Sequence, residues 1–153
     1  MTYTYNKILD QLEGRWICQR TNYIIGNKQI NYHKEELKFK QISNIYKTQI
    51  DSRLLYQYQL YDKNKDQKAC YLFFQQEESE FDTVHKITND KVKYYRLKIH
   101  THNSIKIKSV KQNIVYYEYI YLINPRFKII ISILRKNQKY LAISFISEIR
   151  ISH

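Results

Sequence analysis

The stretch EGRWICQRTNYIIGNKQINYHKEELKFK, residues 13–40, decides the fold. From Trp16 onward it alternates with the two-residue period of a β-strand, and it is rich in the strand-favouring types Ile, Tyr, Thr and Trp. GNKQ at 26–29 is a polar break of hairpin type, after which alternation resumes over 29–40. Steps of two from Trp16 place Cys18, Arg20 and Asn22 on its face. A tryptophan points into a core, where an unpaired arginine would be very costly. The hairpin therefore poses a chemical question: what does Arg20 meet inside?

The same pattern runs outward to the C-terminus. Strands are expected at 15–25, 29–40, 44–50, 53–61, 69–76, 81–87, 92–100, 104–110, 113–123, 127–136 and 139–151. The breaks between them (DS, DKNKDQ, QEES, TND, HN, KQN, NP, KNQK) are short and polar, and the sole proline, Pro125, lies in one of them. Before Gly14, the spacing of Tyr5, Ile8, Leu9 and Leu12 predicts one short helix over 4–13, with Thr4 as its cap. One helix followed by many short-turned strands predicts an all-β, antiparallel up-and-down barrel, and a barrel of eight or more strands can enclose a ligand. A sandwich is the main alternative, and periodicity alone does not choose between them.

A chain of 153 residues is expected to form a single domain over 1–153. Apolar residues make up 43% of it, enough for a packed core, yet no run approaches the roughly 18 apolar residues of a membrane span. No secretory signal or transit peptide is expected from the N-terminal sequence. Alanine occurs only at 69 and 142, glycine only at 14 and 26, while Ile, Lys, Asn and Tyr abound. That bias follows codon composition and points to an A/T-rich genome such as a plastid or a reduced bacterium. It also weakens the usual reading of a formal charge of +12 as a nucleic-acid footprint, because the lysines are scattered rather than clustered. A basic surface still attracts an acidic partner or an anionic ligand. Cys18 and Cys70 match neither a metal spacing nor a disulfide framework and read as small buried hydrophobes.

Parity sorts the later strands. Over 113–123 one face carries Ile114, Tyr116, Glu118, Ile120 and Leu122, the other Val115, Tyr117, Tyr119, Tyr121 and Ile123. If the aliphatic face is inward, Glu118 is inside. Arg20 then has two explanations: a structural pair with Glu118 or Glu148, which parity alone favours, or a ligand with anionic and cationic groups in a wet cavity. In the last strand Glu148 and Arg150 share a face with Ala142, Ser144 and Ile146. They read either as an exposed ion pair of little worth or as part of a mouth or partner surface. A phosphate-binding glycine loop is excluded by the two glycines. His100 and His102 share a strand face but have no nearby carboxylate or cysteine to complete a metal site. No nucleophile–base constellation is legible.

Three blocks together resemble the S-type phycobiliprotein chromophore lyases, the CpcS/CpeS family: GRWICQRT at 14–21, EYIYLINPRFKIIISIL at 118–134 and FISEIR at 145–150. They occur in the family's order and span nearly the whole chain. The resemblance implies a lipocalin-like barrel of about ten antiparallel strands with an N-terminal helix. It implies a lyase that binds a linear tetrapyrrole (bilin), phycoerythrobilin or phycocyanobilin, and delivers it to a cysteine of an apo-phycobiliprotein subunit as a thioether. On this reading Arg20 holds a bilin propionate through its planar fork, and Glu118 pairs with protonated pyrrole nitrogens and activates the A-ring side chain for thiol addition. The remaining substrate-binding candidates are Arg126, Lys128, Tyr58, Tyr116, Ser132, Glu148 and Arg150. Lys128 stands where the family has an arginine, and Arg126 is a candidate substitute from the same face. The family's pocket tryptophans are absent, with Tyr56, Tyr58 or Tyr71 as replacements. No metal or separate cofactor is implied, since the bilin is substrate. The chloroplast stroma is the expected location and the phycobilisome the expected destination. Exposed strand edges and the apolar outer face at 115–123 permit a homodimer or a partner lyase subunit. The alternatives are a non-catalytic carrier of a bilin or apolar anion on the same barrel and, less favoured, a basic nucleic-acid-binding barrel.

Overall fold

The computed structural model describes residues 8–42, 53–76, 81–89, 91–101 and 103–152. Within them ten strands follow one another as an antiparallel meander: β1 (Gly14–Ile24), β2 (Gln29–Gln41), β3 (Leu54–Asp62), β4 (Gln67–Phe74), β5 (Asp82–Thr88), β6 (Lys91–Thr101), β7 (Ser104–Lys111), β8 (Ile114–Asn124), β9 (Phe127–Lys136) and β10 (Lys139–Ser152). Each pairs with the next, and β10 returns to pair with β1, from Arg15 opposite Ser152 to Ile24 opposite Ala142. That last pairing closes the sheet into a barrel and decides against a sandwich. The expectation of exposed strand edges holds in part: β2 pairs with β3 only over Leu37–Gln41, and among the described residues nothing pairs with the β3-facing side of Gln29–Glu36. The expected strand at 44–50 lies outside the described residues, as do Thr4 and Tyr5 of the expected helix. Among the described residues no helix is long and apolar enough to cross a membrane.

What is described of the helix is its C-terminal end, residues 8–10, and it plugs the lower end of the barrel. Ile8, Leu9 and Leu12 are buried against Tyr56, Tyr58, Phe73, Val84, Leu97 and Ile105. A helix leaves its last carbonyls without partners of its own. Side chains from the strands take them instead. The Trp16 indole N–H donates to the Leu12 carbonyl at 3.0 Å. The Tyr58 hydroxyl donates to the Leu9 carbonyl and the Arg150 guanidinium to the Gln11 carbonyl. Trp16 is fully buried, with Lys128 Nζ 4.2 Å from its ring centre and the Arg150 guanidinium carbon 4.6 Å from it. Two cations beside one indole make this corner electrostatically stiff.

Gly14 starts β1 with φ at +139°, and a Cβ there would lie 2.8 Å from the Ser152 carbonyl oxygen. Only glycine lets the chain leave the plug and enter the sheet at this point. The upper end is built differently, from hairpin turns joining β1–β2, β3–β4, β5–β6, β7–β8 and β9–β10. Among the described residues, those other than glycine with positive φ all sit in these turns: Lys28, Lys65, Asn89, Gln112, Asn137 and Gln138.

Candidate functional site

Inward-facing side chains enclose a cavity of about 440 Å³, within the range that holds a small organic ligand. Leu9 and Leu12 form its floor, and Phe73, Val84, Leu97, Ile105, Ile107, Ile120, Ile130 and Ile146 much of its wall. Three lining residues, Arg20, His33 and Lys68, are exposed and mark the opening at the upper end. The cavity is thus largely apolar, with the Lys128–Glu148 pair low in its wall and cations towards the mouth.

Glu118 is one of the few charged residues within the wall. The alternation of β8 turns it inward, opposite Ser132 on β9 and Ile107 on β7. Tyr116, two residues earlier on the same face, donates its hydroxyl proton to Glu118 Oε2 at 3.2 Å and lies 3.1 Å from the Ser132 hydroxyl. One tyrosine proton cannot serve both, so Ser132 donates to Tyr116 and Tyr116 to the carboxylate. Burial pushes the Glu118 pKa above the ordinary carboxylate value. The Tyr116 bond and the charges of Lys86 and Arg20 act in the opposite direction, and Glu148 adds to the rise. Lys86 is pushed the other way, below the ordinary lysine value, by its own desolvation. It lies 5.7 Å from the centre of the Tyr71 ring. Tyr71, Tyr95 and Tyr116 line the lumen beside Glu118, the last two meeting edge to face at 6.2 Å. The arrangement suits a flat, conjugated ligand that offers a cationic or N–H-rich centre to Glu118 and anionic groups to the mouth.

Deeper in the barrel, cross-strand register lines up Lys128, Glu148, Cys18 and Glu35 across β9, β10, β1 and β2. Lys128 and Glu148 are 2% and 4% exposed and form an ion pair at 3.3 Å. Their charges are therefore committed to each other. Burial and the neighbouring Glu148 carboxylate hold the Cys18 thiol above the usual thiol value, so it stays protonated and poorly nucleophilic.

The structure brings together Arg20, Glu118, Tyr116, Lys128 and Glu148 on the cavity wall, with Ser132 behind Tyr116. It does not bring Tyr58, Arg126 or Arg150 there. Tyr58 has inward parity but lies below the lumen, tied to the plug. Arg126 precedes the first residue of β9, so the turn breaks the parity that was to place it beside Lys128, and it is exposed. Glu148 and Arg150 are not an exposed pair: both are buried, because the plug and Trp16 cover this face of β10. Among the described residues no carboxylate lies within ion-pair distance of Arg20, which removes the structural pairing with Glu118 or Glu148. Lys86, Tyr95, Lys68, His33 and Glu35 line the cavity without having been singled out. Lys86 had a legible signal, since it shares the inward parity of Val84 in the stretch DTVHKIT. Among the described residues no group of three His, Cys, Asp or Glu side chains is placed to hold a metal, and the His100/His102 pair lies outside the described side chains.

No protein-family model matches the chain. A chromophore lyase CpcS/CpeS homolog from Gracilaria tenuistipitata var. liui is 64% identical over 148 residues, covering 97% of this chain and 98% of that protein. Among solved structures, the S-type phycobiliprotein lyase CPES from Guillardia theta superposes with a TM-score of 0.70 at 12% identity, over 95% of this chain and 92% of that one. A protein of unknown function of the DUF3598 family from Nostoc punctiforme gives 0.59 at 10% identity, over 94% of this chain and 49% of that one. At these identities the structural matches speak for the fold alone.

Proposed function

Because the chain belongs to the CpcS/CpeS chromophore lyase family, we propose that its barrel binds an open-chain tetrapyrrole and attaches it to a cysteine of a phycobiliprotein subunit as a thioether. The observation that carries this reading is an inward carboxylate without a cationic partner in ion-pair contact among the described residues, Glu118, held in a largely apolar cavity whose mouth carries Arg20, while Glu148 is taken up by Lys128. A bilin is the complementary object: a conjugated ring chain with basic nitrogens and two propionates.

Each residue then has a task. Glu118 receives the protonated pyrrole nitrogens. Counter-charge in a low-dielectric site favours the cationic bilin, and a cationic ring system draws electron density from its terminal-ring side chain. Arg20 grips one propionate with its fork and Lys86 meets the other as a point charge. Tyr71, Tyr95 and Tyr116 flank the rings and restrict their twist. Lys128, reassigned from propionate binding, fixes Glu148 and the Trp16 corner below the ligand. In the transfer step the acceptor's sulfur bonds to an exocyclic carbon of the terminal ring as the carbon–carbon double bond is consumed. The thiol's proton ends on the tetrapyrrole and nothing leaves. No cofactor or metal is part of the scheme.

The substrate is assigned as phycoerythrobilin or phycocyanobilin and the location as the chloroplast stroma, supported by the A/T-biased composition. A homodimer is part of the same reading. It is supported by the outer apolar rows that run from Tyr117 and Tyr119 through Ile133 and Ile131 to Ile143 and Phe145; sedimentation of the purified protein decides it. The function is tested by co-producing the chain with either bilin and an apo-phycobiliprotein subunit. Colour that stays on the subunit after denaturation is the expected result. Colour retained on the barrel and lost on denaturation identifies a carrier instead. Nucleic-acid affinity without pigment binding identifies the third alternative.

A further inference from the structure

The charge of +12 is not spread evenly over the barrel. Each hairpin turn around the open end carries an exposed lysine: Lys28 between β1 and β2, Lys65 between β3 and β4, Lys91 opening β6, Lys111 closing β7 and Lys139 opening β10. At the plugged end the described charges are mixed, Asp10, Glu13 and Asp82 sharing it with Lys40, Arg53, Lys98 and Arg126. Genomic bias explains many lysines but not one at every hairpin turn of the open end. Nor does it explain why Lys28 and Lys65 occupy left-handed turn positions, at φ of 55° and 67°. Asparagine, abundant in this chain and equally A/T-coded, fits that conformation better. The open end is also where any occupant of the cavity must leave.

From these placements we infer that the lysine-ringed mouth is the docking surface for an acidic acceptor protein. The acceptor lies across the open end of the barrel, with its reactive cysteine over the cavity. The inference rests on the lyase reading and adds where the partner sits and what holds it. Opposed charge steers the two together and orients the acceptor before the shorter-range contact at the cysteine forms. Asp62 and Asp66 lie at the same end; Asp62 is engaged by Lys68 at 3.5 Å, and these two described carboxylates are outnumbered by the five turn lysines.

The experiment measures binding of an apo-phycobiliprotein subunit to the full-length protein at about 50 and 300 mM salt, with bilin affinity and covalent transfer followed in parallel. The variant Lys65→Glu/Lys111→Glu/Lys139→Glu is expected to bind the subunit at least about tenfold more weakly and to keep its bilin affinity. The control Lys40→Glu, at the lower end of β2, is expected to bind like wild type. Wild-type affinity should fall steeply as salt rises. Unchanged subunit binding in the triple variant overturns the inference. So does an equal loss in the control, absence of binding by wild type, or competition by a 20-nucleotide single-stranded DNA. Failure of the lyase reading is seen separately, as wild type that binds bilin and subunit but leaves no colour on the denatured subunit.

Discussion

Replacing Glu118 by glutamine keeps shape and removes charge, so it isolates what the carboxylate does. Its pKa is raised in the folded protein. Such a group contributes stability fully below its unfolded pKa and loses that contribution as pH rises through the folded value. Without ligand, Glu118→Gln is therefore expected to melt higher than wild type at neutral pH, and the difference should close as pH falls into the ordinary carboxylate range. Thermal melts between pH 4 and 8 check this. With bilin bound the sign reverses. A lost charge-assisted hydrogen bond costs about 1.5–3 kcal/mol, so the protonated, red-shifted fraction should fall about tenfold or more in an absorption titration. Arg20→Ala should weaken binding and leave the shift, because a propionate is remote from the conjugated rings. Lys128→Met is a different case: it strands the Glu148 carboxylate in a buried site, at a cost of about 3–5 kcal/mol, whereas Lys128→Met/Glu148→Leu should recover most of that in urea melts. Strand parity put Arg20 on the face of Trp16, and put Glu118 inside only on condition that the aliphatic face of its strand turned inward. It could not show that Lys128 and Glu148 hold each other, because parity gives the side of the sheet and not the height along the barrel. Height depends on the β9–β10 register, which the Asn137–Gln138 turn sets and an irregularity between Tyr140 and Ala142 then shifts by one residue; the alternation does not reveal that shift.

Among elements, the strands were legible and most ends differ by one or two residues, because period-two alternation and polar breaks are local signals. Arg126 shows the limit. The turn after Asn124 ends the alternation, so a residue counted onto a face is no longer on a strand. The turns also carry a testable cost. Asn137 and Gln138 both have positive φ, the geometry of a two-residue type I′ hairpin, where Asn-Gly is preferred. A left-handed non-glycine residue costs about 1–2 kcal/mol, and glycine's extra flexibility in the unfolded chain offsets about 0.5–1 kcal/mol of that. Gln138→Gly is thus expected to stabilise by about 0.5–1 kcal/mol, a rise in melting temperature of about 2–4 °C per kcal/mol at this size. Gly14→Ala should do the reverse, losing at least about 1–3 kcal/mol, since it combines a disfavoured φ with contact against the Ser152 carbonyl.

At the scale of the whole molecule, the barrel was separated from the sandwich only by the pairing of β1 with β10, a contact between the two ends of the chain. Alternation is the same in both architectures, so the sequence left that choice open. The resemblance of three separated blocks favoured the barrel, for those blocks cover β1, the run from β8 into β9, and β10, which are neighbours around the closure. A ligand that binds only the closed form stabilises it by mass action, so saturating bilin at about 100 times its dissociation constant should add about 2.7 kcal/mol. A thermal-shift assay should show a rise of about 5–10 °C, smaller in Arg20→Ala. Closure has one more consequence. A sheet with free margins can accept a visiting segment as an extra strand, reading it through main-chain hydrogen bonds that are indifferent to sequence. Among the described residues this ring keeps one such stretch, Gln29–Glu36 of β2, which runs past the last pairing with β3. Where the strands are paired on both sides, recognition falls to side chains, so the choice of partner there can be rewritten one residue at a time while the backbone stays as it is.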